Sequence, residues 1–302
     1  YIIAIGGGSS MDTAKAIGII MTNPEHADVR SLEGAVATKN KCLPIIAVPT
    51  TAGTAAEVTI NYVITDVDKN RKFVCVDPHD IPLVAVVDPD MMSSMPKGLT
   101  AATGMDALTH AIEAYVATAR SEFSDPLAMK AISDIFAYLL DSYNGCGEAR
   151  AKMHYAQCLA GMAFSNALLG IAHSLAHKTG AMFDIPHGCC NAILLPYVIQ
   201  YNSKACMNRY ADIARELGLP GNTDKQLVNS LVDAIKELNK KLDIAQTYKE
   251  NGVTDEMFNA HIDEIAKNAA LDPCTGSNPR EADAEALKKV LTCAFTGEDV
   301  VF

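Results

Sequence analysis

Runs of consecutive apolar residues mark the first part of the chain. YIIAI opens it at residues 1–5, LPIIAVPTT follows at 43–51, and IPLVAVVDP lies at 81–89. Unbroken apolar runs of this length are typical of strands that are buried on both faces of a parallel sheet. Between the last two runs, VITDVDKNRKFVCVD predicts a hairpin that turns around Asp68, Lys69 and Asn70.

The pattern changes near residues 95–98 (MPKG). From there to Phe302, Ala- and Leu-rich segments follow helical periodicity without a convincing strand, and NG at 144–145 and PGN at 220–222 interrupt them. A chain of 302 residues agrees with two domains, since single cores stop growing near about 250–300 residues. The sequence therefore predicts an α/β domain over residues 1–97 and an all-helical domain over residues 98–302, with a tight cleft between them.

The composition argues against some classes of binding partner. The formal charge is −11, from 25 Lys and Arg against 36 Asp and Glu, which argues against nucleic acid and anionic membrane surfaces as partners. No apolar run approaches the roughly 18–20 residues that a membrane-spanning helix needs, and no signal peptide opens the chain. The nine cysteines are odd in number and scattered in mostly apolar surroundings. They predict reduced thiols in a cytoplasmic protein rather than a disulfide framework.

Asp106, His110, His173 and His187 carry the strongest chemical signal. Asp106 and His110 lie four residues apart in GMDALTHAIEAY, a stretch predicted to be helical, so both side chains share one helix face. His173 and His187 bracket HSLAHKTGAMFDIPHG, and His187 is predicted to lie in a loop. Three imidazoles and a carboxylate suit Fe(II), Zn(II), Ni(II) or Co(II). A shared ion also removes the cost, several kcal/mol for each group, of burying them unpaired.

Two alternatives remain open around this set. A lone histidine on an apolar helix is more often a core or surface residue than a ligand, although here four histidines, His177 among them, and Asp106 fall in three apolar segments that are poor in charge. Glu113 lies seven residues after Asp106, and it either supports a ligand or is a solvated carboxylate. The other histidines show no comparable grouping and are predicted to be structural or exposed: His26, His79, His154 and His261.

Two segments at strand ends are candidates for ligand binding. In Gly6–Ser10 (GGGSS), glycines allow a pyrophosphate to approach the backbone, and the following helix N-terminus offers free N–H groups. The same turn can serve only to reverse the chain, and Asp12 either caps the helix or reaches into the cleft. In PTTAGTAAEVT, Thr50, Thr51 and Thr54 crowd hydroxyls at the sheet edge where α/β folds bind ligands. Taken alone, that segment is better explained as a Thr-rich helix cap.

Together, GGGSSMDTAKAI, PTTAGTAAEVT, GMDALTHAIEAY and HSLAHKTGAMFDIPHGCCNAILLP resemble the iron-containing (group III) alcohol dehydrogenases. The resemblance covers essentially the whole chain, including CTGSNPRE at 274–281, and is nearest to the 1,2-propanediol oxidoreductase and 1,3-propanediol dehydrogenase branch. It implies an N-terminal α/β dinucleotide-binding domain followed by an all-helical metal-binding catalytic domain, the architecture shared with dehydroquinate synthase.

The resemblance also implies roles for individual residues. Asp106, His110, His173 and His187 match the four iron ligands, and His177 matches a catalytic histidine near nicotinamide and substrate. The cofactor-binding positions are matched by Gly7, Gly8, Ser9, Asp12, Thr50, Thr51 and Thr54. The implied reaction is reversible hydride transfer between a small primary alcohol or diol, or its aldehyde, and NAD or NADP, with a metal that polarises the alcohol oxygen. Four protein ligands favour Fe(II) over Zn(II), because the ion must expand its coordination to accept substrate.

The chain departs from the family pattern in two places. Where the family usually has GTGSE, this chain has GTAAE at 53–57, which removes one hydroxyl and some backbone flexibility. Family members also carry roughly another β-α-β portion before the strand that opens this chain. We therefore expect the α/β domain to be partial at its start and the adenosine side of the cofactor site to be incomplete.

Rival functions lead to different expectations. A dehydroquinate synthase-like lyase would require basic residues around the helical cleft, and the metal motifs here are poor in Lys and Arg. Zinc glycerol dehydrogenases generally lack a ligand at the position of His110. A catalytically incompetent metal-binding fragment, or a non-enzymatic helical protein with buried histidines, is the remaining alternative. As the resemblance implies homo-oligomers, we expect this chain to form one.

Overall fold

The computed structural model describes residues 1–68 and 71–302. Before Lys97, the described residues form six strands and one long helix. The strands are β1 (Ile2–Gly6), β2 (Gly34–Ala35), β3 (Ile45–Pro49), β4 (Asn61–Asp66), β5 (Arg71–Val76) and β6 (Val84–Ala85), and the helix is α1 (Gly8–Thr22). Single turns of 3₁₀ helix connect several of these elements.

The strands form two small sheets. In the first, β1, β3 and β6 lie in that order and are parallel, with Ile2 opposite Ile45 and Ala47 opposite Ala85. In the second, β5 lies between β2 and β4 and pairs antiparallel with β4. The predicted hairpin is therefore confirmed as β4–β5, although residues 69 and 70 of its turn lie outside the described residues.

The prediction that the opening strand is buried on both faces is wrong. Ile3 and Ile5 are 54% and 57% exposed, whereas Ala4 between them is buried. α1 contributes Met11 and Ala14 to the core on the other face of the sheet, and no described element covers the face that carries Ile3 and Ile5.

From Lys97 onward the described chain is helical. The helices are α2 (Lys97–Val116), α3 (Ser124–Tyr143), α4 (Gly147–Ala167), α5 (Ile171–Phe183), α6 (His187–Glu216), α7 (Asp224–Lys241), α8 (Asp255–Ala270) and α9 (Ala284–Thr296). This succession confirms the predicted fold class, an α/β segment followed by an all-helical segment.

α2 lies at the centre of the helical part and is buried along almost its whole length. Small residues allow its neighbours to approach. Gly104 faces Leu139 of α3, and a Cβ on Gly188 would overlap the carbonyl oxygen of Ala102. The N-terminus of α6 can therefore lie directly against α2, which brings His187 close to Asp106.

Within the described residues, no single helix is both long and apolar enough to span a membrane. α4 and α5 meet the length and composition test only as a pair, which is bent by 109° at the three residues that join them.

Candidate metal centre and its cleft

Three helices bring the four predicted ligands together. α2 carries Asp106 and His110, α5 carries His173, and His187 is the first residue of α6. The Oδ1 atom of Asp106 lies 3.6 Å from His173 Nε2 and 3.5 Å from His187 Nε2. The rings of His110 and His173 stack with centroids 4.4 Å apart, and ligand atoms of Asp106, His110 and His173 all lie within 4.8 Å of one another.

The predicted loop position of His187 is wrong, because helix α6 begins at this residue. Pro186 precedes it with extended backbone angles and has no side-chain donor or acceptor to cap the helix. Since His187 and Asn191 are four residues apart on α6, their side chains share one face.

The contacts of Asn191 indicate that these residues suit a cation. Its amide Nδ2 donates a hydrogen bond of 2.7 Å to Asp106 Oδ1 and lies 3.1 Å from His173 Nε2 and 3.2 Å from His187 Nε2. The Nδ2 atom is thus surrounded by one carboxylate oxygen and two imidazole nitrogens, which are the types of atom that bind a transition-metal cation. The donor set, one carboxylate and three imidazoles, fits iron and neighbouring transition metals.

Electrostatics favour the ligand forms of three of these groups. Burial lowers the pKa of His110 to about 3 and that of His187 to about 3, so both rings are neutral near pH 7 and keep a free lone pair. Burial alone would raise the pKa of Asp106, but His110 and the other two histidines outweigh it and hold that pKa well below its usual range. Asp106 is therefore the anionic member of the set.

Glu113 contacts His173 from the side opposite the centre. Its Oε2 accepts a 2.5 Å hydrogen bond from His173 Nδ1, and its Oε1 accepts one of 2.8 Å from the backbone N–H of Ala172. The side chain is buried, so the alternative of a solvated carboxylate is wrong. Although burial opposes a charged imidazole, Glu113 and Asp106 raise the pKa of His173 to about 9. With Nδ1 bonded to Glu113, the Nε2 atom of His173 faces Asp106 and His187.

His177 lies beside this set, four residues after His173 on α5. Its ring stacks on that of His187 with centroids 5.2 Å apart and planes 9° apart. Its Nδ1 atom lies 3.1 Å from Asp272 Oδ2, which also accepts a 2.8 Å hydrogen bond from Lys178. Burial of Asp272 opposes ionisation, but His177 and Lys178 outweigh it and lower the pKa of that carboxyl. Asp272 therefore fixes the ring of His177 with its other nitrogen, Nε2, free.

The four candidate ligands and His177 line a cavity of about 280 Å³ between the second sheet and helices α2, α4 and α5, which we call the histidine cavity. Its walls are mainly apolar, and Phe164 stacks on His110 with centroids 4.4 Å apart. The larger apolar side chains that line it include Ile60, Val63, Val74, Val76, Phe164, Leu168 and Leu169.

A second cavity of about 450 Å³ lies at the glycine turn, and we call it the glycine cavity. It contains six of the seven predicted cofactor positions: Gly7, Gly8, Ser9, Asp12, Thr51 and Thr54. Thr50 is not among its lining residues. His177 and His187 line both cavities, so the two adjoin. The exposed Lys72, which the sequence patterns did not single out, contributes a cation to the glycine cavity.

The glycine turn is tightly packed against the threonine segment. A Cβ on Gly8 would lie 2.9 Å from Thr54 Cγ2, and one on Gly7 would lie 3.1 Å from Thr51 Cγ2. No helix begins in this segment, so its interpretation as a helix cap is wrong. Asp12 does not cap α1 either. Its Oδ2 accepts a 3.1 Å hydrogen bond from Val63 N, and burial raises its pKa to about 6.

Comparison with known proteins gives the chain its relatives. Residues 1–89 match the family described as iron-containing alcohol dehydrogenase, and residues 100–295 match its C-terminal part. The NADPH-dependent butanol dehydrogenase of Clostridium saccharobutylicum is 53% identical over 100% of this chain and 78% of its own length. Lactaldehyde reductase of Escherichia coli (strain K12) is 51% identical over 98% of this chain and 77% of its own length.

A solved structure of similar fold is that of 1,3-propanediol oxidoreductase. It superimposes with a TM-score of 0.91 at 39% identity, over 97% of this chain and 77% of the other. Fold and cleft together define the class, a two-part enzyme in which a helical histidine-rich centre faces an α/β glycine turn. The chain belongs to the iron-containing alcohol dehydrogenase family. It is an alcohol dehydrogenase that uses iron and NAD(P) for alcohol and aldehyde oxidoreduction.

Proposed function

We propose that Asp106, His110, His173 and His187 hold the iron, and that the enzyme interconverts short primary alcohols or diols and their aldehydes in the histidine cavity. The approach of His110, His173 and His187 to the Asp106 carboxylate, at the edge of an apolar cavity, carries this proposal. Related proteins named butanol dehydrogenase and lactaldehyde reductase support the substrate class.

In the proposed reaction, an alcohol and NAD(P)⁺ are converted to an aldehyde, NAD(P)H and one proton. When bound, the iron supplies Lewis acidity toward the alcohol oxygen, and the nicotinamide exchanges the hydride. Glu113 holds the ring of His173, and Phe164 holds that of His110. The apolar wall keeps water from the alkyl chain of the substrate.

His177 is proposed as the catalytic residue that takes up the released proton at Nε2. Asp272 accepts the hydrogen bond from Nδ1 and thereby keeps Nε2 free. Because His177 lines both cavities, it lies where the alcohol site adjoins the cofactor site. From Nε2 the proton passes to solvent.

The glycine cavity is proposed as the cofactor site. Gly7, Gly8 and Ser9 form the turn at the N-terminus of α1, where backbone N–H groups and the helix dipole favour a phosphate. Thr51, Thr54 and Asp12 are proposed as further contacts along this cavity. Thr50 is proposed only to support the turn, because its backbone N–H donates a 2.9 Å hydrogen bond to the Gly6 carbonyl.

We propose two domains that correspond to the two sites. Residues 1–97 form a dinucleotide-binding domain, and residues 98–302 form a metal-binding catalytic domain. The succession of helices from Lys97 onward supports this boundary. The homo-oligomer stays a prediction, which sedimentation velocity would test.

The test of the function is aldehyde-dependent oxidation of NADH and NADPH by protein purified anaerobically and loaded with Fe(II). We expect turnover with butanal and lactaldehyde that is lost on chelation and restored by Fe(II). A folded, iron-loaded protein that oxidises neither cofactor with any aldehyde from acetaldehyde to hexanal would overturn the proposal. A phosphorylated sugar acid should not react, because no Lys or Arg occurs among the described residues that line the histidine cavity.

Glu113→Gln should weaken iron binding about 10–100-fold, because partners of ligating histidines contribute to metal affinity on this scale. The amide keeps the shape of the side chain but replaces one carboxylate oxygen that now accepts a hydrogen bond from His173 or Ala172. Competition against a coloured chelator measures the affinity. Glu122→Gln, at an exposed glutamate, is the matched control and should retain the affinity of the unmodified protein. Equal affinity in both variants would contradict this role of Glu113.

A further inference from the structure

Leu168 occupies a backbone conformation that leucine rarely adopts. It ends α4 with φ 67° and ψ −171°, in a region of backbone space that is essentially reserved for glycine. Three other non-glycine residues of the described chain have positive φ, namely Ala55, Asp184 and Asp243. Asp184 has ordinary left-handed helical angles of 53° and 43°, which aspartate tolerates.

The conformation follows from the junction between α4 and α5. The chain turns by 109° within three residues, and each flanking position is fixed. The backbone N–H of Leu168 donates to the Phe164 carbonyl at 2.8 Å, and the carbonyl of Leu169 accepts from Ser277 Oγ at 2.6 Å. A Cβ on Gly170 would lie 2.8 Å from oxygens of Asn278 and Glu113, so these side chains pack closely against this residue. The positive φ therefore falls on Leu168.

Packing does not account for a leucine at this position. Its side chain is 44% exposed, whereas the adjacent Leu169 is buried, and both line the histidine cavity. A glycine would satisfy the backbone better, and the side chain contributes little to the core. The side chain instead forms part of the apolar wall that faces a molecule bound in the cavity.

We propose that Leu168 is a specificity-determining residue that limits the length and branching of the alcohol accepted by the histidine cavity. The inference rests on the proposed function, in which this cavity holds the alkyl chain of the substrate. The hydrogen bonds at Leu168 and Leu169 hold the α4–α5 junction in this conformation, in which the side chain of Leu168 lines the cavity.

Two substitutions separate the side chain from the strain. Leu168→Ala removes most of the side chain and keeps the disfavoured φ, whereas Leu168→Gly removes both. The quantity to compare is kcat/KM for hexan-1-ol or 3-methylbutan-1-ol divided by kcat/KM for propan-1-ol. In both variants this ratio should rise about tenfold or more, because one methylene group in an apolar pocket changes kcat/KM by about 10–200-fold. Leu168→Phe should lower the same ratio.

Thermal unfolding tests the strain without any turnover. At ordinary helix positions glycine is less stable than alanine, and Asn166, exposed on α4 two residues earlier, provides that control. We expect Asn166→Gly to melt about 2 °C or more below Asn166→Ala, and Leu168→Gly to melt above Leu168→Ala. The same order at both positions would overturn the proposal, because Leu168 would then carry no strain.

The outcomes separate this inference from the proposed function. If the unmodified protein reduces aldehydes but the chain-length ratio changes less than twofold in both Leu168 variants, the specificity role is wrong and the function stands. If the unmodified protein turns over no alcohol, the proposed function is wrong. Thermal stabilisation by added alcohol then tests whether Leu168 limits the alcohols that bind in the histidine cavity. Greater stabilisation of Leu168→Gly by hexan-1-ol than of the unmodified protein supports the role, and equal stabilisation overturns it.

Discussion

His187→Ala should abolish iron retention and turnover together. The substitution removes one of the three imidazoles around Asp106 and leaves an opening at the N-terminus of α6, next to the junction of the two cavities. We expect iron to fall from about one ion per chain to below roughly a tenth, and kcat to fall by about 10³-fold or more, since Lewis-acid stabilisation contributes several kcal/mol to a transition state. Elemental mass spectrometry on anaerobically purified protein measures the first quantity, and cofactor oxidation measures the second.

The control is His26→Ala, which removes a histidine that lines neither cavity, on a short 3₁₀ turn after α1. It should retain both iron and activity. Because His187 is partly exposed and begins a helix without a side-chain cap, its loss should leave the fold intact, and circular dichroism checks this. A His187→Ala protein that keeps one iron per chain and oxidises alcohol normally would remove His187 from the ligand set.

The parts of the site that follow helical spacing could be predicted from the sequence. Asp106 and His110 share a face because they lie four residues apart on one helix, and local periodicity is sufficient to show this. The approach of His173 and His187 to that face depends on three helices packing at one point. For these residues the clustering of histidines in apolar segments poor in charge predicted a shared ion, and the resemblance to a family then implied the four ligands.

Other members of the site could not be predicted because tertiary packing alone places them. Asp272 reaches His177 across 95 positions of sequence, and no local pattern links them. Asn191 gave a weak signal, as a polar residue four positions after His187 in an apolar stretch. The positive φ of Leu168 left no sign, because a leucine predicts continuation of a helix and not its end.

In the α/β part, the alternation and apolar runs predicted β1, β3 and the β4–β5 hairpin. They could not predict which face of β1 would be covered, since that depends on neighbours beyond the strand itself. The threonine segment was misassigned to a helix cap for the same reason. Its side chains pack against the glycine turn of another strand, and this long-range contact replaces the helix that local patterns favour.

Lys15 should be the most sensitive position for the stability of the α/β part. Its side chain is fully buried, and its Nζ atom donates to the carbonyl oxygens of Thr59 at 2.5 Å and Asn61 at 2.9 Å. It lies 3.4 Å from Asp80 Oδ1, and Asp80 is fully buried as well. Since Thr59 and Asn61 line the histidine cavity, this ammonium group joins α1 to one wall of the site.

Lys15→Met keeps much of the volume of the side chain and removes its charge. We expect the free energy of unfolding to fall by about 3–5 kcal/mol, the usual effect of removing one partner of a buried ion pair. Urea unfolding followed by circular dichroism measures the change. Lys39→Met, at an exposed lysine, is the control and should change stability by less than about 0.5 kcal/mol.

The loss in Lys15→Met should grow with pH. Burial raises the pKa of Asp80 to about 7 even with Lys15 beside it, whereas an unfolded aspartate titrates near about 3.9. Between these values the unfolded chain gives up a proton that the folded chain keeps, so the contribution of Asp80 to stability decreases as pH rises and levels off above about pH 7. Without Lys15 the folded pKa moves higher still, and the decrease continues past pH 7.

The difference in stability between the unmodified protein and Lys15→Met should therefore be larger at pH 8.5 than at pH 6, by up to about 1.4 kcal/mol for each pH unit above 7. Adding Asp80→Asn to Lys15→Met removes the carboxyl that has lost its partner. The double variant should recover part of the stability and lose most of the additional dependence on pH, because the carboxyl whose pKa lies near 7 is gone. A pH-independent loss in Lys15→Met that Asp80→Asn does not reduce would show that the carbonyl contacts of Lys15, and not its charge pair, stabilise this wall of the cavity.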